Sequence, residues 1–329
     1  MRIVTNSTSL SAYKVYLRLE KATNTYLSDK GYLKLDLPVL SPVLVPESYL
    51  EVFETDFGYM ERKEKLYLTP SPELFIKRVL AHMKIDCYSL GKSFRNGEPD
   101  SSKHSPEFTM LEFYKLGVDY MGIADEVLGL LNSLSGGNKI TYQGKDYSFG
   151  SWEKLTVEES FIKYAHIQKN ELFSEDALKK HAVKRGYSVE GFTYEDIFSQ
   201  IYAQEVEPHL GMNGKATMLY DYPKEFAALA KLNSDGKTAQ RFEFYIGGIE
   251  LGDCYTELTD PNEQKTRFEQ EDKKRGLQGN TQHPVDWGFI DALKHGLPDC
   301  SGIAIGFERL AMIFADVTSI HDLRLIDVV

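Results

Sequence analysis

Apolar residues recur at helical spacing between residues 11 and 29, where Val15, Leu19, Ala22 and Tyr26 line one face and Gly31 follows as a stop signal. The pattern predicts a helix there. An extended segment follows, YLKLDLPVLSP, whose Pro38 suits a strand edge or a strand end. Residues 70–83, PSPELFIKRVLAHM, open with prolines and turn helical. Residues 86–95 and 107–116 read as two strands joined by a polar loop, GEPDSSKHSP. Beyond residue 118 the pattern is less regular. A helix from Asp119 to Leu134 ends at Ser135-Gly136-Gly137, Thr156 and Glu159 form a capping box, and helical periods recur at 175–186 and 194–206. RFEFYI-GG-IELGDCY reads as a hairpin with a Gly-Gly turn, residues 261–276 as a charged helix, and SGIAIG-FERLAMIF as a strand running into a helix. Strands in pairs, rather than in regular βαβ order, predict an α+β fold on an antiparallel sheet.

Alternation along the strands sorts the polar residues by face. In 107–114, Phe108, Met110, Glu112 and Tyr114 share one face and Glu107 turns to the other. Glu112 and Tyr114 make an anionic corner with a hydroxyl, beside the flat ring of Phe108, which suits an ammonium group. The plainer alternative is a half-exposed strand whose Glu112 pairs with a structural cation. In the preceding strand Cys87, Ser89, Gly91, Ser93 and Arg95 share a face. A row of small residues ending in an arginine leaves space above the sheet and puts a guanidinium, suited to phosphate or carboxylate, at its rim.

The hairpin adds a third convergence. A two-residue Gly247-Gly248 turn places Tyr245 opposite Glu250 and Glu243 opposite Gly252, so Glu243 and Glu250 become diagonal neighbours on one face. Two such carboxylates repel unless a cation lies between them, and oxygen-only ligands point to magnesium. The alternative is a solvated hairpin face. Finally, Gly302, Ala304 and Gly306 form a second small-residue face, and Arg309 falls in the first turn of the next helix, where an anion would explain a cation.

Composition narrows the partners. With 38 Lys and Arg against 49 Asp and Glu, the net charge is -11, which argues against non-specific attraction to a nucleic-acid backbone. Cys87, Cys254 and Cys300 are far apart, with no C-x-x-C pair, which fits a reducing compartment. No run approaches the ~20 apolar residues of a membrane span, and the start has no apolar core of signal-peptide length. The expectation is a cytoplasmic protein.

These residues resemble the class II aminoacyl-tRNA synthetases, in particular the lysine branch, over nearly the whole chain. Three class II motifs come in order: the helix and strand ending at Pro38, then F-R-N…H-S-P-E-F-T-M-L-E-F-Y, then G-I-A-I-G-F-E-R-L. The segments S-P-E-L-F-I-K-R and G-I-E-L…E-L-T-D are similar to the lysine branch. The resemblance implies ATP and magnesium. It implies that Arg95 holds the α-phosphate and the substrate carboxylate, that His104 and Arg309 hold the outer phosphates, and that Phe108 stacks on adenine. Arg95 and Arg309 would be the catalytic pair. Asn96, Glu98, Glu250, Leu251 and Gly306 would lie at the nucleotide, and Glu243 and Glu250 would bind magnesium. Glu112, Tyr114 and Glu257 would surround a side-chain ammonium and Glu73 the backbone amine, with Ser71, Pro72, Asp253 and Ala304 completing the amino-acid pocket.

About ten residues precede the first helix, which leaves no room for the anticodon-gripping β-barrel of a lysyl-tRNA synthetase. The expectation is one catalytic domain over 1–329, with a helical insertion at about 150–210 and no anticodon-binding domain. In this the chain looks more like the truncated branch that attaches (R)-β-lysine to a lysine of translation elongation factor P. Ser71 stands where tRNA enzymes usually carry alanine, and Ala304 where they usually carry glycine. Departures from the family are Gly97 ahead of Glu98, Ser105 for an asparagine, Asp253-Cys254 for Asn-Gly, and Glu308 for an aspartate. An aspartate at 253 is expected to repel a substrate carboxylate. By resemblance the partners are elongation factor P, lysine or (R)-β-lysine, and a second copy in a homodimer formed through the first helix and the Pro38 strand; neither tRNA nor a membrane is expected. Two rival readings are a lysine–tRNA ligase without the anticodon domain, and a non-catalytic paralogue that binds an amino acid.

Overall fold

The first helix, Leu10–Asp29, buries Ala12, Leu19, Thr23 and Leu27 on one side and ends where Lys30 N–H closes on Tyr26 O and Gly31 turns left-handed at φ +88°. The computed structural model describes residues 2–98 and 101–328; Pro99 and Asp100, in the polar loop expected from the sequence, lie outside the described residues. The chain divides into two compact units, Met1–Val118 with Glu257–Val329, and Asp119–Thr256.

In the first unit, strand Glu107–Leu116 lies antiparallel to both Cys87–Phe94 and Cys300–Gly306, and the short strand Leu33–Lys34 adds on in parallel beside Cys87–Phe94. One face of this sheet carries Leu111, Phe113, Ile303 and Ile305, each no more than 1% exposed. The edge of the Tyr32 ring meets Phe113 there, with centroids 5.8 Å apart. Helix Glu73–Met83 packs on strand Cys87–Phe94, and helix Phe307–Phe314 packs on strand Glu107–Leu116 and on the first helix, where Tyr16 meets Phe307 edge-on at 5.3 Å. Burial of side chains this size stabilises by about 1.5–3 kcal/mol each. A hairpin, Glu54–Tyr59 with Arg62–Leu68, stands apart from these strands. It does not figure among the elements expected from the sequence because Glu54–Tyr59 is exposed at every position and shows no apolar alternation.

In the second unit, Asp119 caps helix Tyr120–Leu134 by accepting from Met121 N and Gly122 N. Strands Ile140–Tyr142, Lys145–Thr156, Lys215–Pro223, Thr238–Ile246 and Ile249–Thr256 pair in that order, antiparallel except for Lys145–Thr156 with Lys215–Pro223. Three of these fall where the sequence pattern is irregular. The capping box expected at Thr156 and Glu159 is present in both directions. Short helical segments run from Val157 to His209 around a core that includes Phe161, Leu178, Ile197, Phe198 and Ile201. The fold is therefore α+β and dominated by antiparallel pairing. Among the described residues, no helix is long and apolar enough to cross a membrane.

Candidate active site

Residues directly opposite in an antiparallel pair point to the same face. Cys87, Ser89, Gly91 and Ser93 stand opposite Tyr114, Glu112, Met110 and Phe108, and on the other flank Gly302, Ala304 and Gly306 stand opposite Tyr114, Glu112 and Met110. The row expected from alternation is thus bordered by small residues on both sides. At Gly302 smallness is obligatory: an added Cβ would lie 2.2 Å from Cε1 of the Tyr114 ring.

Three acids gather at the Tyr114 end. Glu112 is 2% exposed. Its Oε1 accepts from the Tyr114 hydroxyl at 2.7 Å, and its Oε2 is buried with no hydrogen-bond partner among the described residues. Glu73 opens helix Glu73–Met83, where Ser71 Oγ accepts from Glu73 N at 3.0 Å and Pro72 stands at the N-cap. Glu257 is fixed by its N–H to Cys300 O at 3.0 Å. Between Glu73 and Glu257 sits the ammonium of Lys77, which pairs with both.

The charges move the titrations. Burial, then the Glu73 charge, pushes the Glu112 carboxyl up to about 8, against the pull of the Tyr114 hydrogen bond and of Lys77. Burial and Glu112 hold the Tyr114 phenol well above its usual range. Burial disfavours the Lys77 cation, but Glu257 and Glu73 override it and hold the ammonium above its ordinary value. Burial raises part-buried Glu47 to about 7, with Glu73 adding to the shift and Arg95 opposing it.

At the opposite end of the row are the basic residues. Arg95 follows the strand, tied by its N–H to Pro106 O at 2.9 Å. Its guanidinium carbon lies 5.3 Å from the Phe108 ring centre, and its Nε is buried without a hydrogen-bond partner among the described residues. His104 Nδ1 lies 3.1 Å from Ser101 Oγ, and burial, then the Arg309 charge, lowers its pKa, while Glu98 works the other way. Arg309 Nε donates to Lys103 O at 3.1 Å. Asn96 steadies the turn, with its N–H on Glu51 O and its Oδ1 accepting from Gly97 N, both at 2.9 Å. The inserted Gly97 takes φ +73°, a conformation that suits glycine. Glu308 accepts twice from Thr109 N at 2.8 Å, so this departure from the family ties helix Phe307–Phe314, with Gly306 at its N-cap, to the central strand.

The hairpin of the second unit corrects the expected register. Ile246 pairs with Ile249 and Tyr245 with Glu250, as expected, but a bulge then shifts the pairing. Glu243 faces Asp253, not Gly252, and Gly252 pairs with Phe244 on the other side. The cation between the acids is Arg241. It reaches Glu243 at 2.7 Å and Asp253 at 2.9 Å, with its guanidinium carbon 4.7 Å from the Tyr222 ring centre. Tyr245 also donates to Glu243, and Tyr255 to Asp253 at 2.6 Å. Asp253, expected to repel a substrate carboxylate, is thus paired with a cation. Burial raises its carboxyl to about 7, and what charge remains faces Arg241, which works against that rise. The side chain of Leu251 is buried.

Cys87, Cys254 and Cys300 are all buried, and burial raises the Cys87 thiol to about 12, so packing is their visible role. Sequence reasoning passed over Lys77, Arg241 and Glu47. The Glu73/Lys77 spacing of four was the available signal for the first. The orphaned Arg95 Nε fits an anion such as a nucleotide phosphate. Glu243 and Glu250 offer carboxylate oxygens of the kind magnesium takes, but Glu243 is engaged by Arg241 and Tyr245, and among the described residues no group of three or more acids, histidines or cysteines gathers as a metal site.

Two comparisons bear on these residues. The family model for class II tRNA synthetases (D, K and N) matches residues 1–326. An elongation factor P–(R)-β-lysine ligase from Yersinia enterocolitica is 37% identical over 304 residues, 90% of this chain and 89% of that protein. One from Hamiltonella defensa is 35% identical over 308 residues, 92% and 90% of the two chains.

Proposed function

The chain belongs to the class II tRNA synthetase family (D, K and N), and from that premise we propose that it is an ATP-dependent ligase joining (R)-β-lysine, or lysine, to a lysine side chain of elongation factor P. An oxygen of the amino-acid carboxylate attacks the α-phosphorus of ATP, the bond to the bridging oxygen breaks, and pyrophosphate leaves. The amine of the acceptor lysine then attacks the acyl carbon of the adenylate. It loses a proton, the bond to the phosphate oxygen breaks, and AMP leaves with a new amide in place.

The protein contributes position and charge rather than a covalent nucleophile. Arg95 directs its guanidinium at the α-phosphate and the substrate carboxylate. His104 and Arg309 take the outer phosphates, Phe108 offers its ring to adenine, and Asn96, Glu98, Leu251 and Gly306 border the nucleotide. Glu112, Tyr114 and Glu257 receive the side-chain ammonium and Glu73 the second amine, with Ser71, Pro72, Ala304 and Asp253 shaping the pocket. Glu243 and Glu250 would hold magnesium, whose charge offsets that of the phosphates. A cytoplasmic homodimer, joined through the first helix and the Pro38 segment, belongs to the same reading.

The observation that carries the proposal is the buried Glu112 carboxylate, which directs an unsatisfied oxygen over a bed of small residues. A buried carboxyl oxygen without a partner is costly, and an ammonium group removes that cost. Amino-acid-dependent pyrophosphate exchange, run with (R)-β-lysine and α-lysine, tests it. Exchange with a preference for the β-isomer is expected. No exchange with either would favour a non-catalytic amino-acid sensor and end this reading.

A further inference from the structure

The proposed function places three carboxylates, Glu73, Glu112 and Glu257, around the amines of the substrate, and the role inferred for Lys77 rests on that reading. One cation is already there. Lys77 is 2% exposed, as are Glu112 and Glu257, so its pairing with Glu73 and Glu257 is not a solvated surface bridge. The Phe289 ring lies 5.5 Å from its Nζ and supplies no competing charge. The groups facing Lys77 are Glu73 on its own helix, Glu257, Glu112 and Tyr114 from the central strand, and the neutral Cys300 thiol; Glu47 acts on Glu73 from outside. Once substrate draws Glu112 into its carboxylate form, the three carboxylates less one ammonium leave two negative charges. A diamino acid brings two ammonium groups, and its carboxylate is assigned to Arg95. The counts match only because Lys77 is present.

We propose that Lys77 is a positioning residue that sets the charge of the amino-acid pocket, fixing the directions of Glu73 and Glu257 and leaving one net negative charge for each ammonium of the substrate. Without it, Glu112 loses the cation that works against its raised pKa, and Glu73 and Glu257 lose the ammonium they share. The carboxylates that the two ammonium groups need then form only at higher pH.

The test compares wild type, Lys77→Met and Lys77→Arg in pyrophosphate exchange from pH 6 to 9, with the better of the two lysine isomers. Lys77→Met is expected to raise the amino-acid KM about tenfold and to move the acid limb of kcat/KM up by about one pH unit, with the KM for ATP within about twofold of wild type. Lys77→Arg keeps the charge and is expected to keep the limb in place, even if its longer fork raises KM. A purely structural lysine would disturb both substrates and leave the limb where it was. An unmoved limb in Lys77→Met, or equal loss for ATP and amino acid, overturns the proposal. If Lys77→Met does not fold, Lys77→Gln takes its place with the same outcomes: a raised limb supports the role and an unmoved one overturns it. Wild-type protein without exchange overturns the proposed function and this inference together; active wild type with an unmoved limb overturns this inference alone.

Discussion

Burial and the neighbouring Glu73 charge lift Glu112 from 4.5 to about 8, and the direction of that shift has measurable consequences. A carboxyl whose folded pKa is raised contributes stability that is fully present below its unfolded value and is lost as pH rises through its folded value. The ligand-free protein should therefore lose stability between about pH 5 and 8. Asp253 and Glu47 lose theirs in the same direction, so the Glu112 share is read by difference. Thermal unfolding of Glu112→Gln should show a shallower decline than wild type, and parallel curves would contradict the assignment. The same residue predicts that lysine binding at pH 7 expels about one proton, since an ammonium needs the carboxylate form. Calorimetry in buffers of different ionisation enthalpy reads that proton, and Glu112→Gln should abolish it. Gly302 gives the steric counterpart. Gly302→Ala must displace the Tyr114 ring, at a cost of about 1–3 kcal/mol, and should raise the amino-acid KM more than that for ATP. Unchanged kinetics in the folded variant would show that the ring position does not matter.

At the scale of elements, the strands that carry the row were readable because alternation and small residues coincide. Cys87–Phe94, Glu107–Leu116 and Cys300–Gly306 stand within a residue or so of the expected spans, and their register brings Ser89, Glu112 and Ala304 side by side. The capping box at Thr156 was readable for a similar reason, since two side chains at a fixed spacing satisfy two backbone N–H groups. Thr156→Ala should cost about 1 kcal/mol in denaturant unfolding and leave pyrophosphate exchange unchanged. A loss of exchange would tie that helix start to the chemistry. What was not readable has physical reasons too. The bulge beside Glu250 follows no residue pattern in IELGDCY, and its one-residue slip decides that Arg241 lies between Glu243 and Asp253. Lys77 looks like any helical surface lysine until Glu257, 180 positions away in sequence, closes over it. Hairpin Glu54–Leu68 buries too little for hydrophobic patterning to mark it.

For the whole molecule, charge and kinship point to the same acceptor. A chain with net charge -11 has little long-range attraction for a polyanionic tRNA, whereas under the proposed function Arg95 and Arg309 would act only over the short distances of a bound nucleotide. The relatives, similar along about nine-tenths of the chain, are named for a protein acceptor. The most direct test incubates the enzyme with ATP, magnesium and labelled (R)-β-lysine in the presence of both elongation factor P and lysine tRNA, and then follows the label by gel and by mass. The label should enter elongation factor P at a single lysine and release AMP, leaving the tRNA unloaded. Label on the tRNA at a comparable rate, or none on elongation factor P despite active pyrophosphate exchange, would contradict the proposed function.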